Sequence, residues 1–479
     1  MVALAIASLI VSCLAAACGG SGPKAGPRGP RPDFVFVLTD DLSQNLVSHM
    51  PRVQALERAG STMSRYYVVD SLCCPSRSAI FTGQFPHDDG VFTNKGSDGG
   101  YGAYNRNSDP PKSFAVALHK AGYRTALMGK YLNGYSPADK VAPGWDEWDV
   151  AGNGYPEFGY RLNEDGTQRY YGHEASDYLT DVLSARARSF IGASARARKP
   201  FMLEVATFAP HSPYTPAPRY AHAASQVAYP RTGAWNRLPA NPPSWLKGQP
   251  SLTAAEQHEI TVAYRRRVEA DLSVDDMIGN LEAELRSAGV ARKTYFIFSS
   301  DNGYHMGEYR LMPGKQTAFD TDVHVPLIVS GPGVPAGKVV SQLASSIDLS
   351  PTFRALAGLR VPAWVDGHSL AGLWHGQHPA TWQQAVLIEH HGPDDSAGDP
   401  DRQDRRSGDP PSYEAVRTAT ALYVRYASGE QEYYDTARDP LELDNIAARG
   451  IPVALTRALA ALGNCHTGAS CWAAARLSR

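Results

Sequence analysis

Short apolar runs alternate along most of the chain with longer segments whose apolar residues recur at helical spacing. Five runs have the composition of buried strands: residues 34–38, 125–128, 201–208, 295–298 and 326–329. Between them, residues 113–121, 178–192 and 254–288 are predicted to be helices. Such alternation is typical of an α/β fold, a doubly wound and mostly parallel sheet covered by helices on both faces.

The pattern changes beyond residue 361, where short β-rich pieces precede a terminal helix. These pieces are residues 385–389, 415–418, 421–426 and 432–434. We therefore predict a large catalytic domain at residues 33–360 and a smaller antiparallel α+β domain at residues 361–479.

Two segments lack periodicity. Residues 216–250, rich in Pro, Ala and Trp, are predicted to form a long surface excursion near the mouth of a site. Residues 392–411, rich in Asp, Gly, Pro and Arg, are predicted to form a mobile loop.

The N-terminus has the pattern of an export signal. Residues 2–17 are apolar but too short and too rich in Ala for a comfortable membrane span, and they end in Leu-Ala-Ala-Ala-Cys. Residues 1–18 thus resemble a bacterial lipoprotein signal with Cys18 as the lipidated residue; a cleaved signal without lipidation is the alternative. Residues 19–32 then form a flexible Gly/Pro/basic tether. Both readings predict an exported protein, extracellular or held at the cell surface of a bacterium by a lipid anchor.

Charge and cysteine content narrow the function classes further. The formal net charge is -2 and 20% of residues are charged, so nothing in the bulk composition points to nucleic acid as a partner. The chain has six cysteines, and Cys465 and Cys471 flank a short turn near the C-terminus. In an exported protein that spacing favours a small-loop disulfide, and two unpaired thiols are the alternative.

The most informative stretch runs from Ser71 to Gly83 and contains Cys-Cys-Pro-Ser-Arg. Pro75 suits the first turn of a helix, so Cys73 is expected just before a helix that carries Ser76 and Arg77. An anion there meets free backbone N–H groups and a guanidinium. The residues alone also fit two buried thiols, or a vicinal disulfide between Cys73 and Cys74.

Acidic and amide residues follow two of the predicted strands. Asp40 and Asp41 end the first strand, and Asp301 and Asn302 end a later one. Ligands bind at the carboxyl ends of strands in an open α/β sheet, so the two pairs can converge there. Such an all-oxygen set favours Ca²⁺, or less well Mg²⁺, although either pair alone also fits a helix cap or turn.

Three further groups lie where they could act on an anion. Lys130 ends another predicted strand, His211 follows the strand at residues 201–208, and Lys315 follows Asp301. The ordinary pKa of histidine suits protonation of a leaving alkoxide. A solvated lysine and a structural histidine are the ordinary alternatives.

Taken together, these motifs resemble the sulfatase family. Cys-Cys-Pro-Ser-Arg-Ser, Gly-Lys-Tyr-Leu-Asn, Ala-Pro-His-Ser-Pro, Ser-Val-Asp-Asp and Ser-Asp-Asn-Gly-Tyr-His resemble its N-acetylglucosamine-6-sulfatases and extracellular heparan 6-O-endosulfatases. The resemblance implies that a formylglycine-generating enzyme oxidises Cys73 to formylglycine (3-oxoalanine), which becomes the nucleophile. It also implies that Asp40, Asp41, Asp301, Asn302 and residue 73 bind calcium.

The resemblance assigns roles to the remaining groups as well. Arg77 polarises the nucleophile, Lys130 and Lys315 bind the sulfate, His211 protonates the leaving alcohol, and His305 contacts the substrate. Most members of the family have Trp-His after the lysine, but here Tyr131 and Leu132 precede Asn133. Asn133 or His87 is therefore the expected substitute for that histidine.

The expected substrate is a sulfated sugar resembling N-acetylglucosamine-6-sulfate, or an aryl sulfate. Phosphonate and phosphodiester hydrolases of the same superfamily share the cysteine motif and the metal pairs, so phosphoryl transfer is the nearest alternative reaction. An inactive, surface-anchored glycan-binding lipoprotein is the alternative from another class.

Overall fold

The computed structural model describes residues 31–393 and 398–477. The predicted signal peptide, Cys18 and most of the tether lie outside the described residues. None of the described helices is both long and apolar enough to cross a membrane.

Sixteen strands are present within the described ranges. They are β1 (Asp33–Thr39), β2 (Ser61–Met63), β3 (Tyr66–Tyr67), β4 (Arg124–Lys130), β5 (Glu147–Ala151), β6 (Arg161–Glu164), β7 (Thr167–Tyr170), β8 (Phe201–Ala206), β9 (Thr294–Ser300), β10 (Leu327–Ser330), β11 (Lys338–Val340), β12 (Ala344–Ser345), β13 (Ala385–His390), β14 (Tyr413–Thr418), β15 (Ala421–Tyr426) and β16 (Gln431–Asp435).

The same part of the chain forms twelve α-helices. They are α1 (Pro51–Ala59), α2 (Cys73–Thr82), α3 (Pro86–Asp89), α4 (Gly100–Arg106), α5 (Phe114–Lys120), α6 (Leu179–Arg196), α7 (Ala254–Ser287), α8 (Asp320–Val323), α9 (Leu349–Leu356), α10 (Ala371–Trp374), α11 (Val453–Leu462) and α12 (Gly468–Ala474).

Ten strands form one large sheet in the order β11-β2-β10-β9-β1-β8-β4-β5-β6-β7. The five central strands, from β9 to β5, are all parallel. β10 runs antiparallel to β9, and β6 and β7 extend the other side as an antiparallel hairpin. The prediction of a mostly parallel sheet is confirmed, and the reversed β10 is one of its exceptions.

Helices cover both faces of this sheet because the side chains of its buried strands alternate between them. On β1, Val35 and Val37 face a buried cluster that includes side chains of α6 and α7. Phe34 and Phe36 face the opposite cluster, where Phe353 of α9 packs on both rings. The sheet is therefore doubly wound, as its alternating pattern predicts.

The C-terminal region forms a four-stranded antiparallel sheet, β13-β14-β15-β16. One face packs on α11, through Leu387 and Leu459 among others. The other face contributes Val386 and Ile388 to the same buried cluster as Phe34. The predicted fold class is confirmed, whereas the domain boundary at residue 360 stays a prediction because the hydrophobic core runs across it.

The two aperiodic segments differ in the structure. Residues 216–250 are irregular apart from a short 3₁₀ turn at Pro218–Tyr220, as predicted. The described part of the second segment instead enters the protein: Asp401 is only 2% exposed. The prediction of a mobile loop came from amino-acid composition. Composition carries no information on the buried partners that bind this aspartate.

Candidate active site

Four parallel strands end at one edge of the sheet. Thr39 of β1 pairs with Ser300 of β9, so Asp40 and Asp301 follow at the same level. Leu38 of β1 and Gly129 of β4 both pair with Ala206, the last residue of β8. The residues after these strand ends, together with Lys130, therefore meet above the carboxyl edge of the sheet.

Cys73 is the first residue of α2 and is fully buried. Its Sγ lies 3.2 Å from Oδ1 of Asp40 and 2.8 Å from Nζ of Lys315. Burial raises the pKa of the thiol well above its ordinary value, and the nearby Asp40 and Asp401 carboxylates raise it further. The vicinal disulfide considered for Cys73 and Cys74 is not formed, since both thiols are free.

Arg77 lies one helical turn after Cys73 and therefore on the same side of α2. Its Nε donates to Oδ2 of Asp301 at 2.7 Å, and its Nη1 donates to the carbonyl of Lys130 at 3.2 Å. Burial raises the pKa of Asp301, but Arg77, Lys130 and Lys315 together outweigh burial, so the net pKa is lowered. Arg77 thus helps to keep a buried carboxylate ionised beside the helix start.

The two predicted lysines each pair with a different aspartate. Nζ of Lys130 lies 2.5 Å from Asp40, and Nζ of Lys315 lies 2.6 Å from Asp41 and 2.8 Å from Asp401. Burial lowers both lysine pKa values, but the carboxylates outweigh it and raise them well above the ordinary value. Both side chains are therefore ammonium ions in the interior.

His211 points one ring nitrogen into this cluster. Its Nδ1 lies 2.7 Å from the carbonyl of Ser212, and its Nε2 lies 2.6 Å from Asp401 and 3.6 Å from Asp41. Burial lowers the pKa of His211, but Asp41 and Asp401 together raise it above its ordinary value. Nε2 is thus positioned to hold a proton inside the cluster.

The carboxylates and Asn302 form an oxygen-rich pocket suited to a hard cation. Burial and the neighbouring Asp301 raise the pKa of Asp40 to about 6, which reflects the crowding of negative charge. Asn302 donates from Nδ2 to Asp41 at 2.7 Å, and its buried Oδ1 receives no hydrogen bond from any residue that the structure describes. These donors fit Ca²⁺, which takes carboxylate and amide oxygens. Donor atoms of Asp40, Asp41, Cys73 and His211 also lie within 4.8 Å of one another.

Asp401 is the residue of this cluster that sequence reasoning missed. Besides His211 and Lys315, its carboxylate accepts from Nδ2 of Asn94 at 2.7 Å and from Nδ2 of Asn133 at 3.2 Å. No motif singles it out among the acidic residues of its segment, so only the fold reveals that it is buried here. Asn133, one of the two predicted substitutes for the missing histidine, therefore does lie in the cluster.

A cavity of about 590 Å³ opens beside the cluster. Its wall includes Asn133, Tyr155, His211 and Pro400. The ring of Tyr155 lies 5.0 Å from Nζ of Lys130, close enough for a cation–π contact. The cavity, of a size to hold a monosaccharide, therefore borders Asn133 and His211 of the cluster.

Two predicted substrate contacts lie elsewhere. His305 is completely buried, with Nδ1 at 3.0 Å from Asp322 and Nε2 at 2.8 Å from the carbonyl of Ser407. His87 has Nδ1 at 2.9 Å from Glu389 and Nε2 at 2.7 Å from the carbonyl of Cys465. Each histidine is bound by partners outside the cluster around Cys73. The spacing of residues in the sequence cannot show these partners, because they come from distant segments.

Two family profiles match the chain. The sequence profile of the Sulfatase family matches residues 32–359. A second profile, N-sulphoglucosamine sulphohydrolase, C-terminal, matches residues 307–461.

Curated relatives are named as sulfatases. The chain is 33% identical over 472 residues to the N-acetylglucosamine-6-sulfatase of Homo sapiens, an alignment that covers 92% of this chain and 85% of that protein. It is 35% identical over 376 residues to a putative extracellular sulfatase Sulf-1 homolog of Caenorhabditis elegans, covering 74% of this chain and 52% of that protein.

Solved structures share the fold at lower sequence identity. One, determined in complex with its substrate D-glucosamine-2-N,6-O-disulfate, superimposes with a TM-score of 0.75 at 22% identity, covering 90% of this chain and 96% of that one. The phosphonate monoester hydrolase of Agrobacterium radiobacter superimposes with a TM-score of 0.67 at 21% identity, covering 88% and 92%. From the profile match and the curated relatives, the chain belongs to the sulfatase family of sulfuric ester hydrolases.

Proposed function

We propose that this protein hydrolyses the sulfate ester of a sulfated glucosamine, with a formylglycine derived from Cys73 as nucleophile and Ca²⁺ as metal. The observation that carries the proposal is the position of Cys73, whose Sγ lies between Asp40 at 3.2 Å and Lys315 at 2.8 Å. Residue 73 thus lies between the proposed metal ligand Asp40 and the proposed sulfate-binding cation Lys315.

Residue 73 supplies the nucleophile after oxidation. Hydrated formylglycine carries two geminal hydroxyls, one to attack sulfur and one whose proton loss expels sulfate and restores the aldehyde. An unmodified thiol lacks the second hydroxyl, so a cysteine S-sulfate would have to wait for attack by water. Cys74 takes no part, because its side chain is buried in the hydrophobic core.

Lys130 and Lys315 bind the sulfate in this proposal. Each is an ammonium ion held at the cluster by an aspartate, so neither needs to reorganise when an anion arrives. The Asp401 carboxylate supports the assignment, since it already accepts from Lys315 and Asn133 as a sulfate oxygen would. Arg77 orients Asp301 and adds a third positive charge beneath residue 73.

His211 protonates the departing sugar oxygen. Its Nδ1 is bound to the Ser212 carbonyl, which fixes the ring and leaves Nε2 as the nitrogen that faces the substrate. General acid catalysis matters most here because a sugar alkoxide is a poor leaving group.

Asp40, Asp41, Asp301 and Asn302 hold the metal. The unpartnered Oδ1 of Asn302 and the three buried carboxylates are the donors that a calcium ion takes. When bound, Ca²⁺ supplies a Lewis acid that polarises the nucleophile and the sulfuryl oxygens.

The proposed substrate class is supported by the size of the cavity and by the names of similar proteins. The cavity of about 590 Å³ beside Lys130 accommodates one sugar ring. The relatives named N-acetylglucosamine-6-sulfatase, and the fold neighbour solved with D-glucosamine-2-N,6-O-disulfate, favour sulfated glucosamine over a simple aryl sulfate as the natural substrate.

We also propose that the protein is exported, with Cys18 lipidated or with its signal peptide removed. The disulfide between Cys465 and Cys471 suits an oxidising compartment. Maturation then requires a formylglycine-generating enzyme to meet the unfolded chain before export, since Cys73 is fully buried after folding.

The test combines mass spectrometry with kinetics. Chain co-expressed with a formylglycine-generating enzyme is digested and the peptide across residue 73 is weighed; hydrolysis of N-acetylglucosamine-6-sulfate, an aryl sulfate and an aryl phosphodiester is then compared. We expect formylglycine at residue 73, a preference for sulfate esters, no turnover by Cys73→Ala, and retained turnover by the matched control Cys74→Ala.

The other outcomes distinguish the alternatives. A preference for the phosphodiester would assign the protein to phosphoryl transfer. A phosphonate monoester hydrolase is among the fold neighbours, so this alternative is tested directly. A persistent thiol, with retained binding of sulfated sugar and no turnover, would make the protein a glycan-binding lipoprotein.

A further inference from the structure

A second cluster of metal-binding side chains lies where α3 meets the disulfide loop that follows α11. Its members are His87 and Asp88 of α3 and His466, the residue after Cys465. One nitrogen or oxygen atom from each side chain lies within 4.8 Å of the others. The cluster has no part in the proposed hydrolysis and does not depend on it.

Its donor atoms already face one another. Nδ1 of His466 lies 2.6 Å from Oδ1 of Asp88, and Nε2 of His87 lies 3.7 Å from Oδ2 of the same carboxylate. The carbonyl of Cys465, 2.7 Å from Nε2 of His87, adds another oxygen. Two imidazoles and one carboxylate are a donor set that zinc and neighbouring divalent transition metals prefer.

Glu389 orients His87 from behind. Both of its carboxylate oxygens lie 2.9 Å from Nδ1 of His87. A carboxylate on the far nitrogen of a ligating histidine fixes the ring and makes the near nitrogen more basic, as in many zinc sites. Nε2 of His87 thereby faces the carbonyl of Cys465 and, farther away, Asp88.

Two acidic side chains at α3 each keep one carboxylate oxygen without a hydrogen-bond donor. Oδ2 of Asp88 and Oδ1 of Asp366 are both buried, and neither receives a hydrogen bond from the residues that the structure describes. The other oxygen of Asp366 accepts from the backbone N–H of Phe85, directly before α3. A cation bound at Asp88 would give the first of these oxygens a partner.

We propose that His87, Asp88 and His466 bind a divalent transition-metal ion of the zinc type. The ion takes the place of the proton that now joins Nε2 of His87 to the carbonyl of Cys465, so binding releases protons. It ties α3, which begins four residues after the end of α2, to the Cys465–Cys471 loop. Its role is to fix the Cys465–Cys471 loop against α3, which packs on the helix that begins with residue 73.

The test is a zinc titration of the full chain in a Cys73→Ala background. This background removes the sulfur donor of the active-site cluster, and millimolar Ca²⁺ is added to compete with zinc for its carboxylates. Chelator-treated protein is titrated with zinc chloride by calorimetry, and its thermal midpoint is measured with and without zinc. The variants are His466→Ala, at a side chain 66% exposed and so tolerant of change, and Asp88→Asn. The matched control is His119→Ala, an exposed histidine 3.2 Å from Asp146.

We expect the background chain to bind one zinc ion per molecule and to melt at a higher temperature with zinc. His466→Ala and Asp88→Asn should each weaken binding at least tenfold and lose the thermal shift, while His119→Ala changes neither. Failure of the background chain to bind zinc, or unchanged affinity in His466→Ala, would overturn the proposal. Both readouts are independent of sulfate ester turnover.

Discussion

Oδ1 of Asp401 lies 2.6 Å from Nε2 of His211, so the carboxylate of a loop residue rests against the proposed general acid. The same oxygen lies 2.8 Å from Nζ of Lys315. An internal anion thus contacts two groups that the proposed mechanism uses on the sulfate ester. A sulfated substrate must compete with this side chain for its donors.

Replacing Asp401 by asparagine should therefore tighten anion binding. We expect Asp401→Asn to lower the KM for an aryl sulfate and the inhibition constant of inorganic sulfate, each about fivefold, because the neutral amide competes less well for Lys315. Steady-state kinetics with sulfate as inhibitor measure both constants. Asp404→Asn is the control, since Asp404 lies in the same loop but accepts from the backbone of Arg406 and Ser407. Unchanged constants in Asp401→Asn would show that the carboxylate does not compete with the substrate.

Loss of His211 should slow hydrolysis most for sulfate esters with poor leaving groups. His211→Ala is expected to slow hydrolysis of a sugar sulfate by roughly 10² to 10⁴-fold, the usual contribution of a general acid, and to slow an activated nitrophenyl sulfate much less. The ratio of the two kcat values, compared with wild type, is the measurement. Equal losses on both substrates would remove the acid role from His211.

Loss of Lys315 should damage both turnover and folding. Lys315→Ala removes a proposed sulfate-binding cation and takes one ion-pair partner from each of the buried Asp41 and Asp401. Breaking a buried ion pair in this way costs about 3–5 kcal/mol of stability. We expect kcat/KM to fall at least 100-fold and the thermal midpoint to drop, whereas Lys293→Ala, at a partly exposed lysine on Asp33, changes activity little. A variant with normal melting and normal KM would contradict both roles.

Calcium binding should depend on the unpartnered amide oxygen of Asn302. We expect Asn302→Ala to weaken calcium binding at least tenfold, because one of few oxygen ligands is lost. Isothermal titration of chelator-treated protein with Ca²⁺ measures the affinity, and the exposed Asn464→Ala serves as control. Identical affinities in Asn302→Ala and wild type would exclude Asn302 as a ligand.

The buried Glu204 of β8 should make stability depend on pH. Neither of its oxygens has a hydrogen-bond partner in the described structure, and burial, opposed by Arg77, raises its pKa to about 8 from an ordinary 4.5. The folded state therefore keeps a proton that the unfolded chain releases, so this stabilisation is full below pH 4.5 and is lost as the pH rises towards 8. The loss is at most about 1.4 kcal/mol per pH unit.

Glu204→Gln should remove that dependence. Denaturant unfolding at pH 5, 6.5 and 8 is expected to show a smaller fall in unfolding free energy for Glu204→Gln than for wild type. Glu259→Gln, at an exposed position of α7, should follow wild type. Parallel curves for all three proteins would show that Glu204 ionises in the folded state much as it does in the unfolded chain.

The local pattern of apolar and polar residues was sufficient to predict the fold class and many residues of the candidate site. Alternating apolar runs predicted the parallel strands, and the rule that ligands gather at their carboxyl ends brought Asp40, Asp301, Lys130 and His211 together. Pro75 predicted a helix start directly after Cys73, because a proline suits the first helical turn, and α2 begins one residue earlier than predicted, at Cys73 itself. These features follow from the chemistry of neighbouring residues in the chain.

Other features arise only when distant segments meet. His87 and His305 look like substrate ligands by spacing, yet each ring is bound by partners from remote segments, such as Glu389 and Ser407. Asp401 lies in a segment whose composition predicts solvent exposure, and only packing places it on His211, 190 residues away.

The sequence by itself determined the α/β architecture, the residues that end its strands and the sulfatase motif at Cys73. Tertiary structure alone decided which polar side chains are left free to act and which are bound by the protein. The physical reason is that a buried polar group must find a partner, and the identity of that partner depends on three-dimensional contacts that local patterning does not encode.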